Sequence, residues 1–426
     1  MKLLLTFILT STLITVQAQT KADTIKLIQQ SANLLDLDFT DAEADSMIGS
    51  ITSNYQLYKA MHRTLPTNDI SFPFAYNPAP AGMKIPKKQF RIYWDVPTQT
   101  KLPANKNELA FYSIPQLASL IMNKKISSVE LTKFFIARLK KWDDTLECVI
   151  TLTEELAMKQ AKKADDELKA GIYRGPLHGI PYGLKDLFAV KGYKTTWGTT
   201  PYMDQVLDVD SYVYTELKNH GAVLCAKLSL GALAYNNKWF GGETKNPWNL
   251  SQGSSGSSAG SAAAVSAGLL PFAIGTETLG SIVSPSTRCG ATGLRPTFGT
   301  VNRYGAMVLC WSLDKVGPIC RSAEDAAIVY AAINGTDGND PSAIKHAFNY
   351  TGKTDWTKIR IAYAENYFKR LPKEADEWKV LEVYKSLGAK LKAVVFPDTS
   401  LYPVNYISLI LNAESAAAFD ELTRTN

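Results

Sequence analysis

Residues 251–261 read SQGSSGSSAGS, and the chain continues directly into the apolar stretch AAAV at residues 262–265. Taken alone, the tract has the composition of a flexible Gly/Ser linker. A second Gly/Ser turn, GTETLGS, follows at residues 275–281, and linkers rarely occur as such an ordered pair. Neither tract contains the Gly-Lys-Ser/Thr of a phosphate-binding loop or the G-x-G-x-x-G of a dinucleotide site. The pair therefore favours two turns of a folded site over a linker.

The composition is that of a soluble globular protein that can bury a large core. Of the 426 residues, 46% are hydrophobic and 20% are charged. The formal net charge is +6, and the basic residues are spread along the chain without a dense cluster. This pattern predicts no nucleic-acid partner.

The first 18 residues predict a secretory signal peptide. Lys2 gives a short positive start, residues 3–16 are apolar apart from Thr and Ser, and Ala18 ends a small-residue cleavage site. An uncleaved anchor or a buried amphipathic start are the alternatives, but the stretch is too short to span a bilayer comfortably. No later segment has transmembrane length, so we expect a soluble mature chain, periplasmic or secreted, with no membrane partner after cleavage.

The cysteine pattern predicts no metal site, and we expect no cofactor. The five cysteines are Cys148, Cys225, Cys289, Cys310 and Cys320. They form no C-x-x-C pair and have no histidine at metal-ligand spacing. Their odd number leaves at least one free thiol. A disulfide, for which Cys310 and Cys320 are close in sequence, and a set of buried apolar thiols stay open as alternatives.

Helical spacing predicts a small helical extension over residues 21–61, and recurrent prolines between residues 65 and 105 predict an extended segment after it. We therefore expect an N-terminal extension and linker over residues 19–104 and a main domain over residues 105–426.

Capping-box pairs and an alternation of elements predict that this main domain is α/β. Ser113 with Gln116, and Ser127 with Glu130, have the spacing that starts a helix. Strands are predicted at residues 148–152, 180–190 (with a turn), 222–228 and 359–364, and helices at residues 156–169, 262–270, 323–333 and 413–422.

A serine nucleophile in these turns needs a base, and histidine is the usual one. The four histidines are His62, His178, His220 and His346. His178 lies in a turn-rich context that suits backbone hydrogen bonding as well as catalysis, and no G-x-S-x-G elbow is present. The base that remains is Lys185, in GLKD at residues 183–186. A lysine paired with Asp186 at the surface is the alternative, and Cys289 is a rival nucleophile with no histidine near it.

Four stretches, in order and at similar spacing, resemble the amidase signature family. They are GPLHGIPYGLKDL (175–187), GSSAGSAAA (256–264), GTETLGSI (275–282) and GLRPTFG (293–299). The resemblance covers the chain from about Leu109 to its C-terminus. It implies a single large α/β/α domain around a mixed, mostly parallel sheet, preceded by the helical extension.

The resemblance assigns the catalytic roles to three residues. Lys185 matches the family's lysine, Ser281 its nucleophile and Ser257 its bridging serine, and a cis peptide bond is implied between Gly256 and Ser257. The backbone N–H groups of Thr278, Leu279, Gly280 and Ser281 are expected to face the developing oxyanion.

The chemistry requires that Lys185 be buried. A lysine near pKa 10.4 is neutral at pH 7 only at a cost of about 4.6 kcal/mol. Apolar neighbours such as Leu184, Leu187 and Phe188 can desolvate the ammonium and lower its pKa. Neutral Lys185 then takes a proton from Ser257, which takes one from Ser281.

Some positions depart from the family pattern. Leu279 stands where many relatives have glycine or aspartate, and Ala259 replaces a glycine of the serine loop. Val283 replaces an arginine that is frequent in the tRNA-linked branch. The pattern GTET (275–278), followed after Leu279 by GSIV (280–283) and then Pro285, is closer to the peptide-amidase-like branch. The chain also stops at Asn426 where relatives continue, and we expect a C-terminally incomplete domain.

Three functional hypotheses follow. The first is an exported amidohydrolase acting on a small-molecule or peptide-like amide. The second is a protein like the glutamyl-tRNA(Gln) amidotransferase subunit that shares these motifs, which the signal peptide disfavours. The third is a truncated, inactive protein with the amidase fold.

Overall fold

The computed structural model describes residues 20–61, 82–397 and 404–425. The chain divides into two compact units. The smaller unit comprises Met1–Ser71, Asp398–Ile410 and Phe419–Asn426, and the larger comprises Phe72–Pro397 and Leu411–Ala418. The predicted signal peptide, residues 1–18, lies outside the described residues, and the domain boundary near residue 105 stays a prediction.

Helices and strands alternate along most of the chain. The helices are α1 (Lys21–Asn33), α2 (Asp41–Met61), α3 (Ile114–Met122), α4 (Ser128–Leu146), α5 (Glu154–Lys169), α6 (Tyr212–Asn219), α7 (Ala259–Ser266), α8 (Val283–Cys289), α9 (Ala323–Ile333), α10 (Glu365–Phe368), α11 (Asp376–Ser386), α12 (Ile407–Ala418) and α13 (Asp420–Thr425). The strands are β1 (Val149–Leu152), β2 (Pro181–Lys185), β3 (Val223–Leu228), β4 (Lys238–Trp239), β5 (Gly242–Glu243), β6 (Lys245–Asn246), β7 (Asn249–Gly253), β8 (Phe272–Glu277), β9 (Thr292–Gly293), β10 (Lys315–Cys320), β11 (Arg360–Ala364) and β12 (Lys390–Val394). Within the described ranges, no helix combines the length and apolar character needed to cross a membrane.

The N-terminal helical prediction is confirmed by α1 and α2. Thr20 caps α1, and its side chain accepts a hydrogen bond from the backbone N–H of Asp23 at 3.1 Å. Asp36, at φ 58°, has a left-handed conformation between the two helices and interrupts the helical run. Residues 82–105 contain neither helix nor strand, as their prolines predict.

Both predicted capping boxes are present at α3 and α4. The backbone N–H of Gln116 donates to Ser113 Oγ at 3.3 Å, and that of Ser113 donates to Gln116 Oε1 at 2.9 Å. Ser127 and Glu130 make the same reciprocal pair at 3.1 and 2.9 Å. Because each box satisfies two donors that the helix cannot, local sequence is enough to set where these helices begin.

The main sheet has six strands in the order β1-β3-β2-β8-β10-β9. Its centre is parallel, because β2 pairs in parallel with both β3 and β8. The pairs β1–β3, β8–β10 and β9–β10 are antiparallel, so β2, β3, β8 and β9 all run in one direction. Helices α4, α5, α7 and α9 pack against these strands. This is the predicted α/β fold around a mixed, mostly parallel sheet.

The small-residue helix expected at residues 262–270 is displaced toward the N-terminus, as α7. It starts inside the serine tract at Ala259, and Gly268 terminates it in a left-handed conformation at φ 65°. The backbone N–H of Leu269 donates to Ala264 O at 2.8 Å, which is the Schellman pattern of a helix end. The serine tract is therefore the N-terminal end of a buried helix.

Candidate active site

Lys185 is the last residue of β2, a strand with all five residues buried. Its side chain has no exposed surface, and Nζ lies 2.8 Å from Ser257 Oγ and 3.1 Å from Ser258 Oγ. Nζ also lies 2.8 Å from Thr276 Oγ1 on β8. Burial lowers the pKa of Lys185 to about 7, because water cannot stabilise the ammonium, while Asp314 and Glu277 act in the opposite direction.

Ser257 and Ser258 lie in the turn that leads into α7. The Gly256–Ser257 peptide bond is cis, as the resemblance implies. Ser258 Oγ accepts a hydrogen bond from the backbone N–H of Thr276 at 3.1 Å, which ties the serine turn to β8. The backbone N–H of Ser258 donates to Ser281 O at 3.1 Å. The structure thus brings Lys185 and Ser257 into direct contact and places Ser281 against the residue that follows Ser257.

Ser281 closes the turn that follows β8. Glu277 shapes this turn, because its carboxylate accepts hydrogen bonds from the backbone N–H groups of Ile282 at 2.8 Å and Val283 at 2.9 Å. Arg295 approaches the same carboxylate at 3.4 Å. In the part of the chain that the structure describes, no acceptor is bonded to the backbone N–H groups of residues 278–281. These four donors remain available to a ligand.

A cavity of about 230 Å³ adjoins the turn. Its wall includes Thr276 and Thr278, so it opens onto both the lysine network and the residues before Ser281. The rest of the wall is partly apolar and partly charged, with Leu187, Met307, Leu309, Trp311, Asp314 and Lys315 among its residues. Such a mixed, concave site suits a small organic ligand.

Asp186, next to the candidate base, is not that base's partner. Its carboxylate is fully buried and pairs with Lys227 of β3 at 2.5 Å. The backbone N–H and the hydroxyl of Thr196 also donate to Asp186, at 2.8 and 2.6 Å. Burial lowers the pKa of Lys227, and the Asp186 carboxylate offsets that effect. The alternative of a surface Lys185–Asp186 pair is therefore wrong.

The five cysteines and His178 are all buried inside the fold. All five cysteines are free and buried, so the disulfide suggested for Cys310 and Cys320 is wrong and the buried-thiol alternative is confirmed. His178 is buried, and its Nε2 lies 2.9 Å from Ala164 O. Burial raises the pKa of Cys289 to about 12, which disfavours it as a nucleophile. Among the described residues, no three His, Cys, Asp or Glu side chains are grouped as a metal site.

A family model of amidases matches residues 130–425. The chain belongs to the amidase signature family. Its curated relatives include a glutamyl-tRNA(Gln) amidotransferase subunit of Marinomonas sp. (strain MWYL1), 40% identical over 308 residues, or 69% of this chain and 62% of the relative. The same subunit of Methylobacillus flagellatus is 36% identical over 71% of this chain and 64% of the relative. The chain thus spans less than two thirds of these relatives' length.

Solved amidase structures share the fold. The native peptide amidase from Stenotrophomonas maltophilia superimposes with a TM-score of 0.64 and 30% identity, covering 73% of this chain and 68% of that chain.

Sequence reasoning missed several polar groups of this amidase-family site. Thr276 and Ser258 lie in the family-like motifs, but only the folded chain shows that both contact Lys185. Asp314 and Lys315 lie outside the four family-like motifs, and pairing of β10 with β8 brings them to the turn. The signal that could have revealed them is the polar pair Asp314–Lys315 at the start of the buried strand β10.

Proposed function

We propose that this chain hydrolyses a carboxylic amide through an acyl-enzyme on Ser281, with Ser257 as proton relay and Lys185 as base. The observation that carries the proposal is the contact of Lys185 Nζ with Ser257 Oγ at 2.8 Å, with the lysine fully buried. At a pKa of about 7, roughly half of Lys185 is neutral at neutral pH. A lysine in water would be neutral in only about one molecule in 2,500.

The proton path has two transfers. Neutral Lys185 accepts the proton of Ser257, and Ser257 accepts the proton of Ser281 as Ser281 Oγ attacks the carbonyl carbon. The amine then leaves with a proton returned from Lys185 through Ser257, which gives the acyl-enzyme. Water, activated by the same relay, attacks the acyl-enzyme and releases the carboxylic acid. The Ser258–Ser281 backbone hydrogen bond supports this path, because it holds the two serine turns together.

The turn supplies the oxyanion site. The backbone N–H groups of Thr278, Leu279, Gly280 and Ser281 carry no internal acceptor among the described residues, so they can donate to the negative oxygen of the tetrahedral intermediate. Removal of one such donor costs about 3 to 4 kcal/mol in serine hydrolases. Because the donors belong to the backbone, the side chain of Leu279 does not interfere with this role.

A fluorophosphonate probe tests the proposal, since it labels an activated serine and needs no known substrate. We expect stoichiometric labelling of the chain, no labelling of Ser281→Ala and labelling slower by several powers of ten in Lys185→Ala. The loss in Ser257→Ala should be smaller. Ser251→Ala is the matched control, since this serine of the same tract is exposed and its hydroxyl donates to Asn249. Equal labelling of Ser281→Ala, or no labelling of the wild-type chain, would reject the proposal, the latter in favour of an inactive protein with this fold.

The substrate is proposed to be a small-molecule or peptide-like amide, with no nucleic-acid partner. Hydrolysis rates over a panel from acetamide to C-terminally amidated peptides test this class. A second candidate, a component of a tRNA-linked amidotransferase, is favoured by the relatives that carry that name. Glutamine belongs in the same panel: a rate on glutamine far above all other amides would favour the second candidate.

We also propose that the chain is exported, on the evidence of residues 1–18, and that no membrane partner remains after cleavage. Expression with a C-terminal tag, cell fractionation and N-terminal sequencing test it. A mature N-terminus at Gln19 in the periplasm or medium is expected. Leu5→Arg with Ile8→Arg should retain the precursor in the cytoplasm. A full-length wild-type chain confined to the cytoplasm would contradict export and favour the amidotransferase candidate.

A further inference from the structure

We propose that Asp314 and Lys315 are positioning residues, which hold Thr278 from both sides and so aim and polarise the oxyanion donor that follows it, the backbone N–H of Leu279. This inference rests on the proposed function, because it concerns the oxyanion turn of that reaction.

Thr278 is held at its side chain and at its carbonyl. Its hydroxyl donates to Asp314 Oδ1 at 2.5 Å. Its carbonyl oxygen accepts a hydrogen bond from Lys315 Nζ at 3.0 Å. One residue is thus fixed at two points by a pair of neighbours, which leaves its backbone little freedom to rotate.

The contact of Lys315 with the Thr278 carbonyl fixes the direction of the Leu279 N–H. The Thr278–Leu279 peptide bond is trans, and a trans peptide holds its C=O and N–H in one plane, pointing in opposite directions. Lys315 on the carbonyl side therefore sets the direction of the Leu279 N–H on the other side. A cation at the oxygen also draws electron density toward it, which makes the N–H a stronger donor to a developing anion.

Lys315 is suited to this role because its charge is directed to the carbonyl. Among the described residues, no carboxylate forms an ion pair with Lys315. The other charged groups of the cavity wall also have partners, and one oxygen of Asp314 holds the Thr278 hydroxyl. Arg303 pairs with Asp340 at 3.0 Å, and the second oxygen of Asp314 accepts from the backbone N–H groups of Leu309 and Cys310.

The pairing of β10 with β8 supports the positions of Asp314 and Lys315. Lys315 begins β10, and its antiparallel partner in β8 is Glu277, the residue before Thr278. The central sheet therefore holds Lys315 in place beside Thr278. Glu277 fixes the far end of the turn through its hydrogen bonds with the backbone of Ile282 and Val283. The turn is held at both ends, as an oxyanion site with little reorganisation requires.

The test separates binding of the transition state from binding of the ground state. The variants are Lys315→Met, Lys315→Arg and Asp314→Asn, with Lys238→Met, an exposed lysine, as control. The probes are an aliphatic trifluoromethyl ketone, which forms an anionic adduct on the serine, and the matched secondary alcohol, which cannot. The best amide of the substrate panel supplies kcat and KM, and thermal unfolding checks the fold of each variant.

For Lys315→Met we expect kcat to fall about tenfold to a hundredfold with KM nearly unchanged. Trifluoromethyl ketone affinity should fall by the same factor, while alcohol affinity stays the same. Lys315→Arg should recover most of the loss, because it keeps the charge and a donor. Asp314→Asn should show a smaller loss of the same kind, and Lys238→Met none. If Lys315→Met does not fold, Lys315→Gln takes its place.

An unchanged kcat in Lys315→Met would overturn the inference, as would equal losses of ketone and alcohol affinity. Both results leave the proposed function standing, provided that the wild type hydrolyses amides and takes the fluorophosphonate label. Failure of that label in the wild type would instead reject the proposed function.

Discussion

Replacement of Lys185 by Met should stabilise the fold at pH 6, destabilise it slightly at pH 9 and abolish activity. The fully buried Lys185 has a pKa of about 7, against an ordinary 10.5. Between these values the unfolded chain binds the proton and the folded chain does not, so the lysine opposes folding. This penalty is fully present below pH 7, decreases as pH rises and is absent above pH 10.5. A methionine of similar length carries no such penalty.

The magnitude follows from the two pKa values. The penalty is about 5 kcal/mol at pH 6 and about 2 kcal/mol at pH 9. Against it stand the contacts of Nζ with Ser257, Ser258 and Thr276, which are lost in the variant at about 1 kcal/mol each. We therefore expect Lys185→Met to be more stable by about 2 kcal/mol at pH 6 and less stable by about 1 kcal/mol at pH 9.

Urea unfolding monitored by tryptophan fluorescence measures this difference. All eight tryptophans lie in the larger unit, so the signal reports on the unit that contains Lys185. Other titrating groups are common to both proteins and cancel in the comparison. Lys238→Met should show no pH-dependent change in stability relative to wild type. A Lys185→Met variant that is destabilised by the same amount at pH 6 and pH 9 would refute the argument.

Three further predictions address the site and its support. The value of kcat/KM should fall tenfold per pH unit below about pH 7, because only neutral Lys185 accepts a proton; a flat profile from pH 5 to 8 contradicts this base. Asp186→Asn should destabilise the fold by about 3 to 5 kcal/mol in urea unfolding, because Lys227 stays buried without its carboxylate, and adding Lys227→Met should recover part of the loss. If Lys227→Met recovers none of the lost stability, the result would argue against the Asp186–Lys227 pair. Gly256→Ala should cost about 3 kcal/mol or more, since the new Cβ would lie 1.8 Å from Asn236 O; wild-type thermal stability would exclude that clash.

Local signals in the sequence predicted the parts of the fold that depend on neighbours along the chain. The capping boxes at Ser113 and Ser127 start helices because their partners lie three residues away. Strand β2 was expected because a continuous apolar run favours a buried strand. The end of α7 was misplaced, because the left-handed conformation of Gly268 depends on where the chain turns next.

For the candidate site, the motifs predicted roles for Lys185, Ser257 and Ser281 but not what surrounds these residues. The contact between Lys185 and Thr276 joins residues 91 positions apart, and it exists because β2 and β8 are neighbours in the sheet. The sequence could not order these strands, since strand order depends on packing between distant segments. The Asp186–Lys227 pair was missed for the same reason.

Two buried lysines on adjacent strands carry a lesson for protein design. Lys185 lies beside Leu228, and Lys227 lies beside Leu184, one step back along the same parallel pair. Both side chains are fully buried, yet one is matched with a carboxylate and the other with hydroxyl oxygens. This contrast is a starting point for placing a neutral amine inside a protein. The lysine is buried among hydroxyl groups, and the nearby carboxylate is paired with a different cation.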